Sequence, residues 1–297
     1  MLAEKMRALG RKSVMWKSLH IFYYDNHDEL LRLGILPIIK KYNIRQFFFI
    51  RYWEQGPHIR LRIKTDDDGL IDKIVEDIEK YISLNRSTKS ISGKYYNELS
   101  QVYAQKEKLE SPNWRQLIPN NTVCRIKYVP EVDKYHGEKG VEIAESEFCQ
   151  SSILALNVLL KTRKKSEKML YGAAYALELL DLVLNQNEEE LRFFKLYRKY
   201  WENFSKITPE KKEQIKQIIS KINGENIRKI EKIYAKSFGN FHKELFLKLG
   251  NNPKIQFDFL MNFVHLFNNR IGIIPYEEIQ TMFICERLVE EVLCKSI

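Results

Sequence analysis

Two spacing rules divide the chain. Up to about residue 130, short runs place apolar side chains at every second position, the mark of half-buried strands, and helix-like stretches lie between them. Trp16–Tyr24 (WKSLHIFYY), Arg45–Trp53 (RQFFFIRYW), His58–Lys64 (HIRLRIK) and Val123–Val129 (VCRIKYV) read as four strands rich in aromatic and β-branched residues. Asp25-Asn26-His27-Asp28 supplies turn and capping chemistry before ELLRLGILPIIKKY, a helix in which Pro37 predicts a kink or a break. Glu54-Gln55-Gly56-Pro57 predicts a tight turn that joins the second and third strands as a hairpin. Asp66–Asp68 opens a second helix over Gly69–Leu84, with Ile71, Ile74, Val75, Ile78 and Ile82 on one face. A polar insertion, part loop and part helix, runs to about Asn121. The order is β-α-β-β-α-β, the ferredoxin-like signature, with one sheet face left for something else to cover.

Beyond about Glu142 the period changes to that of helices. Segments near 144–161, 166–186, 188–205, 209–222, 225–249, 253–270 and 275–295 are separated by Thr208-Pro209, Asn223-Gly224, Gly250-Asn251-Asn252-Pro253 and Gly272–Pro275. The expected fold is α+β: a ferredoxin-like portion over 1–135 and a helical portion over 136–297, packed on the sheet as one compact unit. Neither an internal repeat nor a low-complexity linker interrupts it.

Composition narrows the function classes. With 44% apolar residues, the 297-residue chain has enough apolar material for a real core, which excludes wholesale disorder. The start MLAEKMRALGRKSVMW lacks an apolar signal-peptide core, and no run reaches the roughly 18 residues of a membrane span, so a soluble, cytoplasmic protein is expected. Cys124, Cys149, Cys285 and Cys294 show no metal-ligand spacing; reduced thiols and no metal site are expected. Lys and Arg number 49 against 39 acidic residues, a net charge of +10, yet no nucleic-acid motif accompanies the surplus. Runs such as Lys161–Lys168 and Lys206–Lys221 are interleaved with acids and read as solvated surface.

Three local patterns could carry chemistry. Because residues two apart share a strand face, His58, Arg60 and Arg62 form one row, and guanidiniums in a row grip carboxylates. Arg51 lies on the facing strand of the same hairpin. The second pattern, YVPEVDKYHG, brings Glu131, Lys134 and His136 into a strand-to-helix loop. The third is the late-helix stretch FVHLFNNR, where His265 and Asn269 share a face and Arg270 follows. Each also has a bland reading, as an exposed strand face, an ordinary loop and a hydrogen-bonded core histidine.

Taken in order, FFFIRYWEQGPHIRLRI, YVPEVDKYHG with AESEFCQSS, and HLFNNRIG resemble the C-terminal domain of class I lantibiotic dehydratases, which also occurs free-standing in thiopeptide pathways. The likeness runs from about Trp16 to Glu290. It implies a lyase that eliminates glutamate from glutamylated Ser or Thr of a ribosomally made precursor peptide, leaving dehydroalanine or dehydrobutyrine. The implied partners are a precursor peptide with its leader and a separate glutamyl-tRNA-dependent glutamylation protein, with no membrane and no cofactor; a homodimer stays open. A free-standing branch of the family instead makes the thiopeptide pyridine by formal [4+2] cycloaddition and releases the leader. A non-catalytic module that docks peptide or tRNA is the third alternative.

The resemblance also implies roles. His265, Arg62, Glu131 and Lys134 match catalytic positions, while Arg60, His58, Arg51, Asn269 and Arg270 become substrate-binding candidates. Lys134 departs from the family's arginine, and His136 replaces the first glycine of a Gly-Gly pair. An ammonium cannot reproduce a bidentate fork.

Overall fold

The computed structural model describes residues 15–107, 116–184, 186–205 and 207–295. The amino-terminal stretch read for a signal and part of the polar insertion lie outside the described residues. The chain divides into two compact units, Met1–Pro130 and Glu131–Ile297, each described by itself.

The first unit is built on strands β1 (Met15–Phe22), β2 (Phe47–Tyr52), β3 (His58–Thr65) and β4 (Thr122–Arg125). They form one antiparallel sheet in the order β2-β3-β1-β4. Leu19, Ile21, Phe47, Phe49, Ile59, Leu61 and Ile63 alternate onto one face and are buried. Helix α1 spans residues 27–41, and α2 is Asp68–Leu84, started by the Asp67 side chain accepting from the Leu70 amide. The buried stripe of α2 is Ile71, Ile74, Ile78 and Ile82. Each such burial stabilises by roughly 1.5–3 kcal/mol. A third helix, α3 (Gly93–Glu107), follows within the insertion.

Two elements and one side chain differ from expectation. Pro37 neither ends nor breaks α1: the chain forms a π-helical turn over Leu30–Ile35 and resumes α-helix at Leu36–Lys41, with the proline in its first turn. The wider turn relaxes the bonding pattern where a proline has no amide to give. The fourth strand stops at Arg125 rather than Val129. The Ile126 amide still donates to Ser18 O at 3.2 Å, and Val129, 71% exposed, has no apolar face to bury. Lys168, expected on the surface, is buried.

The second unit is helical: α4 (Glu138–Lys161), α5 (Lys165–Leu184), α6 (Asn187–Ser205), α7 (Pro209–Ile219), α8 (Gly224–Leu249), α9 (Pro253–Ile271) and α10 (Pro275–Lys295). The large helical portion thus agrees with the sequence. Helix α5 is its axis: residues 172–180 are buried without interruption, and α6, α8, α9 and α10 pack around it. Thr208, Asn223 and Asn252 side chains cap α7, α8 and α9, which explains why those polar breakers were legible. Where α4 begins, a Cβ on Gly140 would lie 1.6 Å from Tyr135 O. Gly140→Ala is expected to destabilise by about 1–3 kcal/mol through overpacking, measurable as a lower urea midpoint with an unchanged m-value.

Candidate active site

Turn geometry sets which side chains share the second sheet face. Gln55 and Gly56 take left-handed backbone, φ 60° and 120°, and only glycine holds the latter without strain. The Gly56 amide donates to Trp53 O (3.0 Å) and is also 2.7 Å from Tyr96 Oη, fixing the hairpin register. His58, Arg60 and Arg62 of β3 then face Phe22, His20 and Ser18 of β1, with Tyr52, Ile50 and Phe48 of β2 on the other flank.

This face is polar yet largely withdrawn from solvent: Ser18, His20, His58 and Arg62 are all buried. The guanidiniums rest on aromatic rings, Arg60 3.5 Å over Tyr52 and Arg62 5.2 and 5.0 Å over Phe48 and Tyr128. Arg60 also pairs with Glu54 at 2.7 Å. His58 Nδ1 lies 2.8 Å from Gly56 O and must donate to it, so Nε2 is the acceptor for Arg60 Nε–H at 3.2 Å. The His20 and His58 rings stack with centroids 4.9 Å apart.

Both imidazoles are held neutral. Burial first, then the Arg60 charge, pushes His20 down to about 2. Burial chiefly, with Arg60 adding to it, pushes His58 down to about 3. An unfolded histidine protonates near 6.5, so the unfolded chain binds more protons than the folded one below that pH. Stability is therefore fully present above about pH 6.5 and falls as the pH drops towards 3, by up to ~1.4 kcal/mol per pH unit for each histidine. A urea midpoint that stayed level from pH 7 to pH 5 would contradict this.

Arg51 does not join the row. Its register partner is Ile59, on the apolar face, and it pairs with Asp28 at 2.6 Å. Alternation along β2 decides this, and the alternation is fixed only once the turn sets the register.

In the helical unit, His265 Nδ1 bonds Glu278 Oε1 at 2.9 Å, and the Trp201 ring lies against the imidazole, centroids 4.8 Å apart. Glu278 is fully buried, and the Tyr197 hydroxyl donates to its other oxygen. Burial and Glu278 push the Tyr197 hydroxyl well up, so it remains a donor. His265 itself keeps 32% of its side chain exposed. A carboxylate behind Nδ1 fixes the tautomer and leaves Nε2 to move a proton, as in histidine–carboxylate pairs generally. Glu278 and Tyr197 were not foreseen from sequence. The turn between α9 and α10 brings Glu278 back 13 residues later, and by spacing alone it reads as a helix-start acid.

The other candidates scatter. Asn269 shares the α9 face of His265 but is half-buried, and Arg270 is wholly buried, donating to Ser151 Oγ at 2.8 Å; the latter is a core residue rather than a substrate ligand. Glu131 and Lys134 form an exposed pair at 3.2 Å. His136, at φ 56°, pairs with Asp258 at 3.0 Å. Among the described residues no group of three or more His, Cys, Asp or Glu could hold a metal, none of the four cysteines is in a disulfide, and no helix is long and apolar enough to cross a membrane.

The family model described as "Lantibiotic biosynthesis dehydratase C-term" matches residues 16–289. The nisin biosynthesis protein NisB of Lactococcus lactis subsp. lactis is 24% identical over 316 residues, covering 97% of this chain and 28% of that protein. The chain spans about a quarter of the length of the curated relatives it matches. Among solved structures, the pyridine synthase TbtD from thiomuracin biosynthesis superposes with a TM-score of 0.62 at 14% identity, covering 93% of this chain and 98% of TbtD. The tRNA-dependent lantibiotic dehydratase MibB from Microbispora sp. 107891 gives 0.61 at 16% identity, over 96% of this chain and 29% of MibB. With a match running from the first strand to the last helix, the chain belongs to the family of lantibiotic biosynthesis dehydratase C-terminal domains.

Proposed function

We propose that this protein eliminates glutamate from glutamylated Ser or Thr residues of a ribosomally made precursor peptide. The observation that carries the reading is the buried arginine row flanked by neutral histidines. β-Elimination removes the Cα proton, develops negative charge on the neighbouring carbonyl and expels glutamate as an anion. Arg60 and Arg62 hold the one free carboxylate of the adduct, an ester through its other carboxyl, and the carboxylate that develops on the leaving glutamate as the Cβ–O bond breaks; His58 braces Arg60. His265, oriented by Glu278, is the proton-transfer group. The base takes the Cα proton, the Cα–Cβ double bond forms as the Cβ–O bond breaks, and the bonding pair leaves with glutamate. The partners in this reading are the precursor peptide with its leader and a separate protein that glutamylates it from glutamyl-tRNA, all in the cytoplasm. In the same reading the sheet is ferredoxin-like, its order β2-β3-β1-β4 being that of two interleaved split β-α-β units.

The test supplies a glutamylated precursor peptide and follows its mass. Loss of glutamic acid, ending one water below the unmodified peptide, is the expected result; unchanged glutamylated peptide sinks the proposal.

One observation favours a second reading, formal [4+2] cycloaddition that builds a pyridine and releases the leader. Lys134 and Glu131 stand where the family's elimination element lies, yet they are exposed and pair with each other. An enzyme that mainly positions two dehydroalanines would not need that element intact. Given a dehydrated, azole-bearing peptide, such an enzyme yields macrocycle and free leader and leaves glutamylated peptide untouched.

A further inference from the structure

His136 takes no part in the proposed chemistry, yet the fold holds it in place. It sits in the loop before α4 with left-handed backbone, φ 56°, at the position where it replaces a glycine of the family element. A residue with a Cβ is strained there, so its neighbours must fix it. Its Nε2 lies 3.0 Å from Asp258 Oδ2, and its ring stacks on that of Phe259, centroids 6.4 Å apart. Asp258 belongs to α9 and precedes His265 by two helical turns, so the two share a face about 10.5 Å apart. Asn262 stands between them on that face, its Nδ2–H donating to Asp258 O at 2.7 Å.

We propose that His136, Asp258 and Asn262 form a subsite for a basic side chain, Lys or Arg, of the peptide that reacts at His265. This deepens the elimination reading and rests on its placing the reaction at that histidine. The ligand's chemistry follows from the groups left over. His136 donates from Nε2 to Asp258, so Nδ1 of the neutral ring is an acceptor; Asp258 and Asn262 each keep Oδ1. His136 and Asp258 are 33% and 38% exposed, and no described lysine or arginine pairs with Asp258. One carboxylate beside two neutral acceptors suits a cation and offers little to an anion. An extended peptide advances about 3.3 Å per residue, so the basic residue lies about two to four residues from the reacting Ser or Thr.

Short peptides that carry lysine at one position, counted from a single Ser, test this beside the same peptides with norleucine, which lacks the ammonium. Binding of the unglutamylated peptides to the full chain is read by fluorescence anisotropy, and turnover of the glutamylated ones by mass. Wild-type protein is expected to show Kd and KM about fivefold lower for lysine than for norleucine, two to four residues from the Ser and not elsewhere, the upper range for a half-exposed ion pair. Asp258→Asn should bring that ratio to about one, and His136→Gly should reduce it. Asp258→Lys should reverse it, so that glutamate at the same position binds better than lysine. General loss of structure would weaken all the peptides alike and would not invert a preference.

A wild-type ratio near one at every position, or a lysine preference that survives Asp258→Asn, overturns the subsite; if glutamic acid is still lost from the glutamylated peptides, elimination stands without it. A lysine preference in binding that Asp258→Asn removes, with no loss of glutamic acid from any peptide, supports the subsite and removes the elimination reading instead.

Discussion

Glutamylated peptide is expected to accumulate when His265 is replaced by alanine, with elimination slowed by about 10²–10⁴-fold, the usual contribution of one positioned acid–base group. The loss should fall on kcat rather than KM, because the imidazole acts on a proton in flight and not on the bound ground state. Glu278→Gln separates chemistry from packing. It keeps the volume at a fully buried position and the hydrogen bond to Tyr197, but an amide can present its NH2 to Nδ1 and favour the wrong tautomer. That variant should lose most of the same rate while folding normally. Arg62→Ala is expected to raise KM and lower kcat together, since it removes charge that grips the adduct before and after bond cleavage. Mass spectrometry of a single glutamylated peptide reads all three. Wild-type turnover by His265→Ala would remove the proton-transfer role proposed for it, and wild-type turnover by Arg62→Ala the role proposed for the arginine row.

The largest stability effect is expected at Arg270, and it is unrelated to substrate. The guanidinium is wholly buried, 5.1 Å over the Phe148 ring and bonded to Ser151, whose hydroxyl in turn donates to Glu147 O at 3.0 Å. Glu147 is wholly buried as well and accepts from the Tyr175 hydroxyl. Burial pushes the Glu147 carboxyl up, and the Arg270 charge is the strongest influence drawing it back down. Removing the cation leaves that carboxyl without its compensating charge in the core of the helical unit. Arg270→Ala should therefore cost about 3–5 kcal/mol, as breaking a buried pair generally does. Adding Glu147→Gln removes the orphaned charge, so the double variant should be less destabilised than the sum of the two singles. Urea unfolding of all four proteins gives the coupling; strict additivity would mean the two groups do not interact.

What the sequence could and could not convey follows from the range of the interactions involved. Alternation in HIRLRIK needs only the pleat, so the separation of Arg60 and Arg62 from Ile59, Leu61 and Ile63 was readable. Caps at Thr208, Asn223 and Asn252 are equally local, and those helix starts fell within a residue of expectation. The face of Arg51 could not be read, because it depends on hairpin register, which a turn with two left-handed residues decides. Arg270 looked like a ligand because arginine is rarely interior. Its burial depends on Glu147, Ser151 and Tyr175, brought in from two other helices. Glu278 escaped notice for the same reason. A histidine's orienting partner is defined by a crossing of helices, and no spacing rule encodes it. The π turn ahead of Pro37 has no sequence mark beyond the proline itself.

The two sides of the sheet answer to different constraints. Ile21, Phe49, Ile59 and Leu61 are sealed into the core, where a change of one methylene is felt, whereas Ser18, His20, Arg60 and Arg62 occupy the alternate positions on the opposite face. A backbone of this kind can change its reaction by rewriting alternate letters of two adjacent strands.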